Sequence, residues 1–115
     1  MLIKKEEQVR SLIANMRGGD GSIDKRDYLF PEMPENAKMF AEIRLEPGCS
    51  IGMHQHTGEY EVFFCKEGEI VLNDNGEEKL MHAGDFAVCR DGEMHGVANR
   101  SDSVAATYAV IIKTK

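Results

Sequence analysis

Alternation of apolar and polar residues constrains the fold of this chain more strongly than any other feature of its sequence. Between residues 37 and 45 every odd-numbered residue is apolar, whereas the residues between them include Lys38, Glu42 and Arg44. Successive side chains of a β-strand point to opposite faces of the sheet. The pattern therefore predicts a strand over residues 37–45 with one face buried and the other exposed to solvent.

Short strands separated by turns are predicted along most of the remaining sequence. Pro31 ends one extended segment, and Asn75-Gly76 supplies the positive φ angles of a tight turn inside a hairpin. Turn signals that recur every 8–12 residues or so, with almost no helix, are typical of a β-sandwich or barrel. We therefore expect an all-β fold. The predicted strands and hairpin lie at residues 22–30, 69–81, 85–89 and 104–112.

The N-terminal segment is the one place where the spacing of apolar residues favours a helix. A short helix running into a strand is predicted over residues 4–16, and the glycine-rich stretch at residues 17–21 then interrupts any regular element. We treat residues 1–17 as an extension of a single domain that spans residues 1–115. The apolar residues that would share the helical face are Val9, Leu12, Ile13 and Met16.

Length and composition narrow the function classes. At 115 residues the chain is long enough for one hydrophobic core. Its 14 basic and 20 acidic residues give a net charge of −6, which disfavours binding to nucleic acid. No apolar run approaches the roughly 18 residues of a membrane span, and the N-terminus is charged where a signal peptide is apolar. We expect a cytoplasmic protein that binds neither nucleic acid nor membranes.

The three cysteines do not form a pattern of disulfides or a metal-binding pair. Cys49, Cys65 and Cys89 are odd in number and widely separated along the chain. Free thiols that pack as small apolar side chains are therefore expected, in a reducing compartment.

The last predicted strand, residues 104–112, is apolar on both faces. A strand of a small barrel normally exposes one face to water. Two explanations are open: the strand is covered on both sides by the chain itself, or its outer face is buried against a second copy. We favour the second explanation and expect a homodimer.

Two of the four histidines, His54 and His56, are separated by a single residue within an apolar stretch. On a strand they would point to the same side. A turn at residues 57–60 can bring Glu61 to the neighbouring strand facing them, and His95 follows a later turn. Burying a carboxylate and imidazoles without partners is unfavourable. Because these groups are good ligands for divalent transition metals, the sequence predicts a metal site.

The spacing around these residues resembles the first motif of the cupin superfamily, G(X)5HXH(X)3-4E(X)6G. Every fixed position of that motif is matched in this sequence. The matching residues are Gly48, His54, His56, Glu61 and Gly68.

The second cupin motif, G(X)5PXG(X)2H(X)3N, also has a counterpart 15 residues further along the chain. This sequence departs from it once, with Arg90 where the pattern has proline. Proline restricts the backbone of a turn, so the departure concerns turn rigidity and not metal ligation. The matching residues are Gly84, Gly92, His95 and Asn99.

The resemblance implies a double-stranded β-helix, the cupin jelly-roll barrel, with motifs at residues 48–68 and 84–99. It implies one divalent transition metal ion, either Fe, Mn, Ni, Co or Zn, which would act on a small molecule. Cupins of this kind include dioxygenases, isomerases, lyases and decarboxylases, and we favour an enzyme. The alternative is a non-catalytic cupin that binds or senses a small molecule. The implied metal ligands are His54, His56, Glu61 and His95.

The orientations and roles of other residues are inferred from their positions relative to the two motifs. If Glu61 faces the interior, Phe63 and Cys65 should do so too, and we expect Cys65 to fill space in the core. Arg17 and Arg90 are the basic residues most able to meet an anionic substrate, but we favour an ordinary solvated surface position for both. The sequence assigns no catalytic residue beyond the metal ligands.

Overall fold

Residues 1–114 are described by a computed structural model, in which ten β-strands form two sheets. One sheet has six strands in the order β1-β2-β3-β10-β5-β8, and the other has four in the order β4-β9-β6-β7. All strand pairs are antiparallel. The strands are β1 Val9–Ala14, β2 Ser22–Asp27, β3 Ala37–Leu45, β4 Ser50–Gln55, β5 Glu59–Glu67, β6 Glu69–Asp74, β7 Glu77–His82, β8 Phe86–Cys89, β9 Met94–Ala98 and β10 Ala105–Lys113.

The core lies between the two sheets and is built from the inward-facing residues of each strand. On β3 the predicted alternation is confirmed, since Ala41, Ile43 and Leu45 are buried. On β5, Phe63 and Cys65 are buried as predicted. The two sheets therefore close around one apolar interior, which is the jelly-roll barrel expected from the sequence.

The predicted hairpin and the later strands are also confirmed. Asn75 and Gly76 connect β6 to β7 with φ angles of 53° and 97°. Strands β8 and β10 lie within a residue or so of their predicted limits.

The N-terminal segment contains the predicted strand, but the helical face expected for residues 9–16 is wrong. A 3-10 helix forms at Lys5–Glu7, residues 9–14 form β1, and a second 3-10 helix follows at Met16–Gly18. Ile13 pairs with Ile23 of β2 and packs against the core, whereas Leu12 is 67% exposed on the other side of the strand. Pairing with β2 satisfies the backbone of this segment, so tertiary contacts override its helix-like spacing.

Strand β10 is central in the six-stranded sheet, between β3 and β5. Its inner face is buried, including Ala105 and Ala109, whereas Tyr108 on its outer face is 37% exposed. Neighbouring strands add further exposed apolar side chains to this outer surface. We call this surface the outer aromatic patch, and it comprises Tyr60, Phe64, Phe86, Val88 and Tyr108.

No helix within residues 1–114 has the length and hydropathy to cross a membrane.

Candidate metal centre

The four residues singled out by the sequence meet at one point inside the barrel. His54 lies on β4 directly opposite His95 on β9, and His56 follows β4 by one residue. Glu61 reaches the same point from β5. One ligand atom from each residue can be chosen so that all four lie within 4.8 Å of one another. This group of four residues is called the donor cluster.

One detail of the predicted geometry is wrong. Glu61 was expected on a strand next to the histidine pair, but β4 pairs with β9 and not with β5. Strand β5 belongs to the six-stranded sheet, so Glu61 approaches His54 and His56 from across the barrel. The chain crosses between the sheets after β4, and period-two spacing alone does not specify such a crossing.

Four of the six distances between the donor atoms are short and nearly equal. His95 Nε2 lies 3.1 Å from His54 Nε2, 3.0 Å from His56 Nε2 and 2.9 Å from Glu61 Oε1. His56 Nε2 lies 3.1 Å from Glu61 Oε1. Two metal–ligand bonds of about 2.1 Å that meet at right angles place their donor atoms about 3.0 Å apart. The spacing of the donor cluster therefore fits a single small divalent ion.

The protons on two of the rings can be assigned from their other contacts. His54 Nδ1 lies 2.7 Å from the carbonyl oxygen of Gly52, and His56 Nδ1 lies 2.6 Å from Glu59 Oε2. Because a carbonyl and a carboxylate accept hydrogen bonds, both Nδ1 atoms must donate. In the neutral rings, the Nε2 lone pairs of His54 and His56 then point into the centre.

When the three rings are neutral, hydrogen bonding alone cannot satisfy these atoms. His95 Nε2 has three close neighbours, yet a neutral ring nitrogen can offer only one proton or one lone pair. Either choice leaves lone pairs of adjacent residues facing each other in a buried site. A cation placed among them removes this repulsion, and Fe, Mn, Ni, Co and Zn all accept imidazole and carboxylate ligands.

The environment sets the ionisation of the donor cluster. Burial raises the pKa of Glu61, but hydrogen bonds from His56 and His95 outweigh burial and leave the pKa below its usual value. Burial lowers the pKa of His54, which favours the neutral ring that a metal requires. The hydrogen bond to Glu61 raises the pKa of His56, so a proton competes with the ion at that ring.

Glu59 is a functional residue that the sequence reasoning missed. Its side chain is buried, and it accepts hydrogen bonds from His56 Nδ1 and, at 2.6 Å, from Lys38 Nζ of β3. A carboxylate on the far nitrogen of a metal-binding histidine fixes the ring's tautomer and orientation. The available signal was the acidic residue three positions after His56, at the start of β5.

A cavity of about 40 Å³ adjoins the donor cluster and is lined by His54, His56 and Glu61. Arg17 lines the same cavity, whereas Arg90, Cys65, Tyr28 and Tyr108 do not. The remaining walls are apolar. They are formed by Met16, Ile43, Ile51, Phe63 and Ile111.

Arg90 occupies a turn that leads into β9. Its backbone N–H donates to Glu93 Oε1 at 2.7 Å, and its carbonyl oxygen accepts from the backbone N–H of Glu93 at 3.0 Å. These two hydrogen bonds hold the turn at the position where the cupin pattern has proline. The Arg90 side chain is mostly exposed and faces Glu93, away from the cavity.

Comparisons with known proteins agree with this fold. The family model described as "Cupin domain" matches residues 41–112. A protein named oxalate-binding protein, from Thermotoga maritima, is 37% identical over 113 residues, which cover 97% of this chain and 93% of the relative. The crystal structure of a predicted oxalate decarboxylase from the same organism has a TM-score of 0.92 at 37% identity, covering 98% of this chain and 99% of that one.

A more distant structure shares the fold alone. It is a sugar phosphate isomerase from Silicibacter pomeroyi, with a TM-score of 0.82 at 22% identity. The alignment covers 99% of this chain and 76% of that one.

Proposed function

The chain belongs to the cupin superfamily, and from this premise we propose that it binds a small carboxylate of the oxalate class at a divalent metal ion. His54, His56, Glu61 and His95 would hold the ion. The observation that carries the proposal is the buried donor cluster, whose lone pairs converge next to a cavity. The ion would supply positive charge and Lewis acidity toward carboxylate oxygens.

The size and charge of the site both favour a small anion. A cavity of about 40 Å³ has room for a ligand of few atoms beside the ion, which disfavours a sugar phosphate. A divalent ion with one carboxylate ligand, Glu61, leaves a net positive charge in a site with apolar walls. An anion that enters this low-dielectric surrounding is attracted more strongly than it would be in water.

The relatives suggest two versions of this function, simple binding and decarboxylation. Decarboxylation of oxalate to formate requires a proton at the carbon that loses CO₂, and therefore an acid close to the ligand. Among the described residues that line the cavity, the polar groups are Arg17 and three members of the donor cluster, His54, His56 and Glu61, which would be occupied in holding the ion. A guanidinium is too weak an acid to supply that proton. This lining favours binding without turnover over the enzymatic function that the sequence favoured.

Calorimetry and product analysis on the metal-loaded protein separate these versions. We expect oxalate to bind with one site per chain, and we expect no formate by NMR after prolonged incubation. Formate released in proportion to enzyme would instead establish the decarboxylase. A metal-loaded protein with no affinity for oxalate would contradict the proposed ligand class.

We also propose that two copies of the chain associate through the outer aromatic patch. Phe64 and Phe86 pack against each other with ring centroids 5.9 Å apart, and Phe86 remains 64% exposed. A contiguous exposed surface of this kind on a sheet marks an interaction site, and a twofold dimer buries the same patch on both copies.

A further inference from the structure

Arg17 is the arginine that lines the cavity beside the donor cluster, and, like Arg26, it has no ion-pair partner among the described residues. It lines the cavity together with His54, His56 and Glu61. In the described part of the chain, no carboxylate lies within ion-pair distance of its guanidinium, and no hydrogen bond from its side chain is formed. An arginine that shares a cavity with a metal centre and has no acidic neighbour is free to pair with a bound anion.

The segment that carries Arg17 is held firmly in a strained conformation. Arg17 has a φ angle of 54°, and Asn15 has a φ angle of 50°, which are both unusual for residues other than glycine. Asn15 donates from its side chain to Gly19 O at 3.0 Å, and its backbone N–H donates to Gly21 O at 2.8 Å. Strained backbone that is fixed by surrounding contacts is concentrated at functional sites.

Glycines on both sides allow this segment to lie directly on β4, next to the histidine pair. A Cβ atom on Gly52 would collide with the carbonyl oxygen of Arg17, and a Cβ atom on Gly19 would collide with the carbonyl oxygen of Ser50. Gly52 is also the residue whose carbonyl oxygen accepts the hydrogen bond from His54 Nδ1. The backbone of Arg17 is thus packed against the residue that orients one of the donor-cluster histidines.

We infer that Arg17 recognises the second carboxylate of a dicarboxylate whose first carboxylate binds the metal ion. This inference rests on the proposed function and deepens it, because it assigns ligand selectivity to one residue. The guanidinium presents a planar fork that matches a carboxylate in two parallel hydrogen bonds. Arg17 would therefore select a dianion over a monocarboxylate of similar size.

Binding measurements on metal-loaded variants test the role of Arg17. Oxalate and acetate are titrated by calorimetry into the wild type, Arg17→Gln, Arg17→Lys and Arg90→Gln. Arg90→Gln is the matched control, because it removes the same charge from an arginine outside the cavity. Metal content and thermal unfolding of each variant establish that the site and the fold are intact.

We expect Arg17→Gln to weaken oxalate binding by about tenfold to a hundredfold, the range for a hydrogen-bonded charge pair, and to change acetate binding little. Arg17→Lys should recover part of the loss, since it keeps the charge without the fork. Arg90→Gln should behave like the wild type. Equal affinity of the wild type and Arg17→Gln for oxalate would overturn the role of Arg17 and leave the proposed function standing. A wild type that holds metal and does not bind oxalate would contradict both.

Discussion

Each ring in the donor cluster is oriented by what its outer nitrogen contacts. His54 uses Nδ1 to reach the carbonyl oxygen of Gly52, whereas His56 uses Nδ1 to reach the carboxylate of Glu59. The first partner is backbone and cannot be removed by a side-chain substitution. The second partner, Glu59, is a side chain that is itself held by Lys38. Because Glu59 can be substituted, it allows a direct test of how the orientation of His56 affects metal affinity.

Replacing Glu59 with glutamine should weaken metal binding while leaving all four ligands in place. The substitution removes the charge that faces His56 Nδ1 and leaves Lys38 without its carboxylate partner. We expect metal affinity to fall by about tenfold to a hundredfold, measured by competition with a chelator of known affinity. Glu67→Gln on the same strand is the control, because Glu67 is exposed and pairs with Arg44, away from the donor cluster. Equal losses in the two variants would contradict an orienting role for Glu59.

The sequence predicted the donor cluster but not its supporting residues, for a physical reason. A strand places alternate residues on one face, so His54 and His56 were identified as a pair, whereas Glu61 and His95 were identified from the turns before them and from the resemblance to the cupin motifs. Glu59 acts on His56, but it is held in place by Lys38 of β3, which lies 21 positions away in sequence. A contact of that kind depends on how the chain folds back on itself and leaves no local pattern.

If Arg17 selects the ligand as proposed, the element that controls selection is the turn between β1 and β2, which carries Arg17. Two hydrogen bonds attach this turn to β4. The backbone N–H of Asp20 donates to Ser50 Oγ at 2.8 Å, and the backbone N–H of Ser50 donates to the carbonyl oxygen of Asp20 at 2.9 Å. These bonds, together with the close glycine contacts, fix where Arg17 meets the cavity.

Substituting Gly19 with alanine should displace this turn. The new Cβ would collide with the backbone of Ser50, so either the turn or β4 must move. We expect destabilisation of about 1–3 kcal/mol from this overpacking, measured by urea denaturation, and weaker oxalate binding by the metal-loaded protein. Gly48→Ala is the control, since Gly48 has a positive φ angle but open space around its Cβ position. That variant should lose some stability and keep its affinity for oxalate. If Gly19→Ala also kept full affinity, the placement of the turn would not control binding.

A strand could be predicted from the sequence where one of its faces is buried, because burial imposes an alternation of apolar and polar residues. The alternation in β3 and the Asn75-Gly76 turn were sufficient to locate those elements. The N-terminal strand was not predicted correctly because it lies at an edge of the six-stranded sheet, where one side of its backbone has no partner strand. Leu12 is apolar although it is exposed, so the spacing of apolar residues in this segment did not indicate which face of the strand is buried.

Apolar and polar side chains are distributed unevenly over the surface of the six-stranded sheet. The outer aromatic patch covers one end of the six-stranded sheet, at β8, β5 and β10. At the opposite edge, Arg10 of β1 forms an ion pair with Asp24 of β2. A dimer formed through the patch would leave β1 outside the interface.

Placing a charge in the patch should therefore dissociate the dimer. Phe86→Glu would bury a carboxylate in an apolar contact, and the cost of leaving it without a partner exceeds what one aromatic side chain contributes to association. We expect monomers by sedimentation velocity for this variant and dimers for the wild type. Leu12→Glu introduces the same charge at a similarly exposed position on β1 and should remain dimeric. A monomeric wild type, or a dimeric Phe86→Glu variant, would contradict an interface at this patch.

The central claim is that the donor cluster holds a metal ion, and elemental analysis of purified protein tests it most directly. The wild type, His54→Ala and His82→Ala are loaded with Mn, Fe, Co, Ni or Zn, freed of excess ion, and analysed by mass spectrometry. His82 is the matched control, because it is exposed and lies outside the donor cluster, beside Glu69. We predict close to one ion per chain in the wild type and His82→Ala, and little or none in His54→Ala. A wild type without metal after loading, or a His54→Ala variant with the same metal content, would contradict the account.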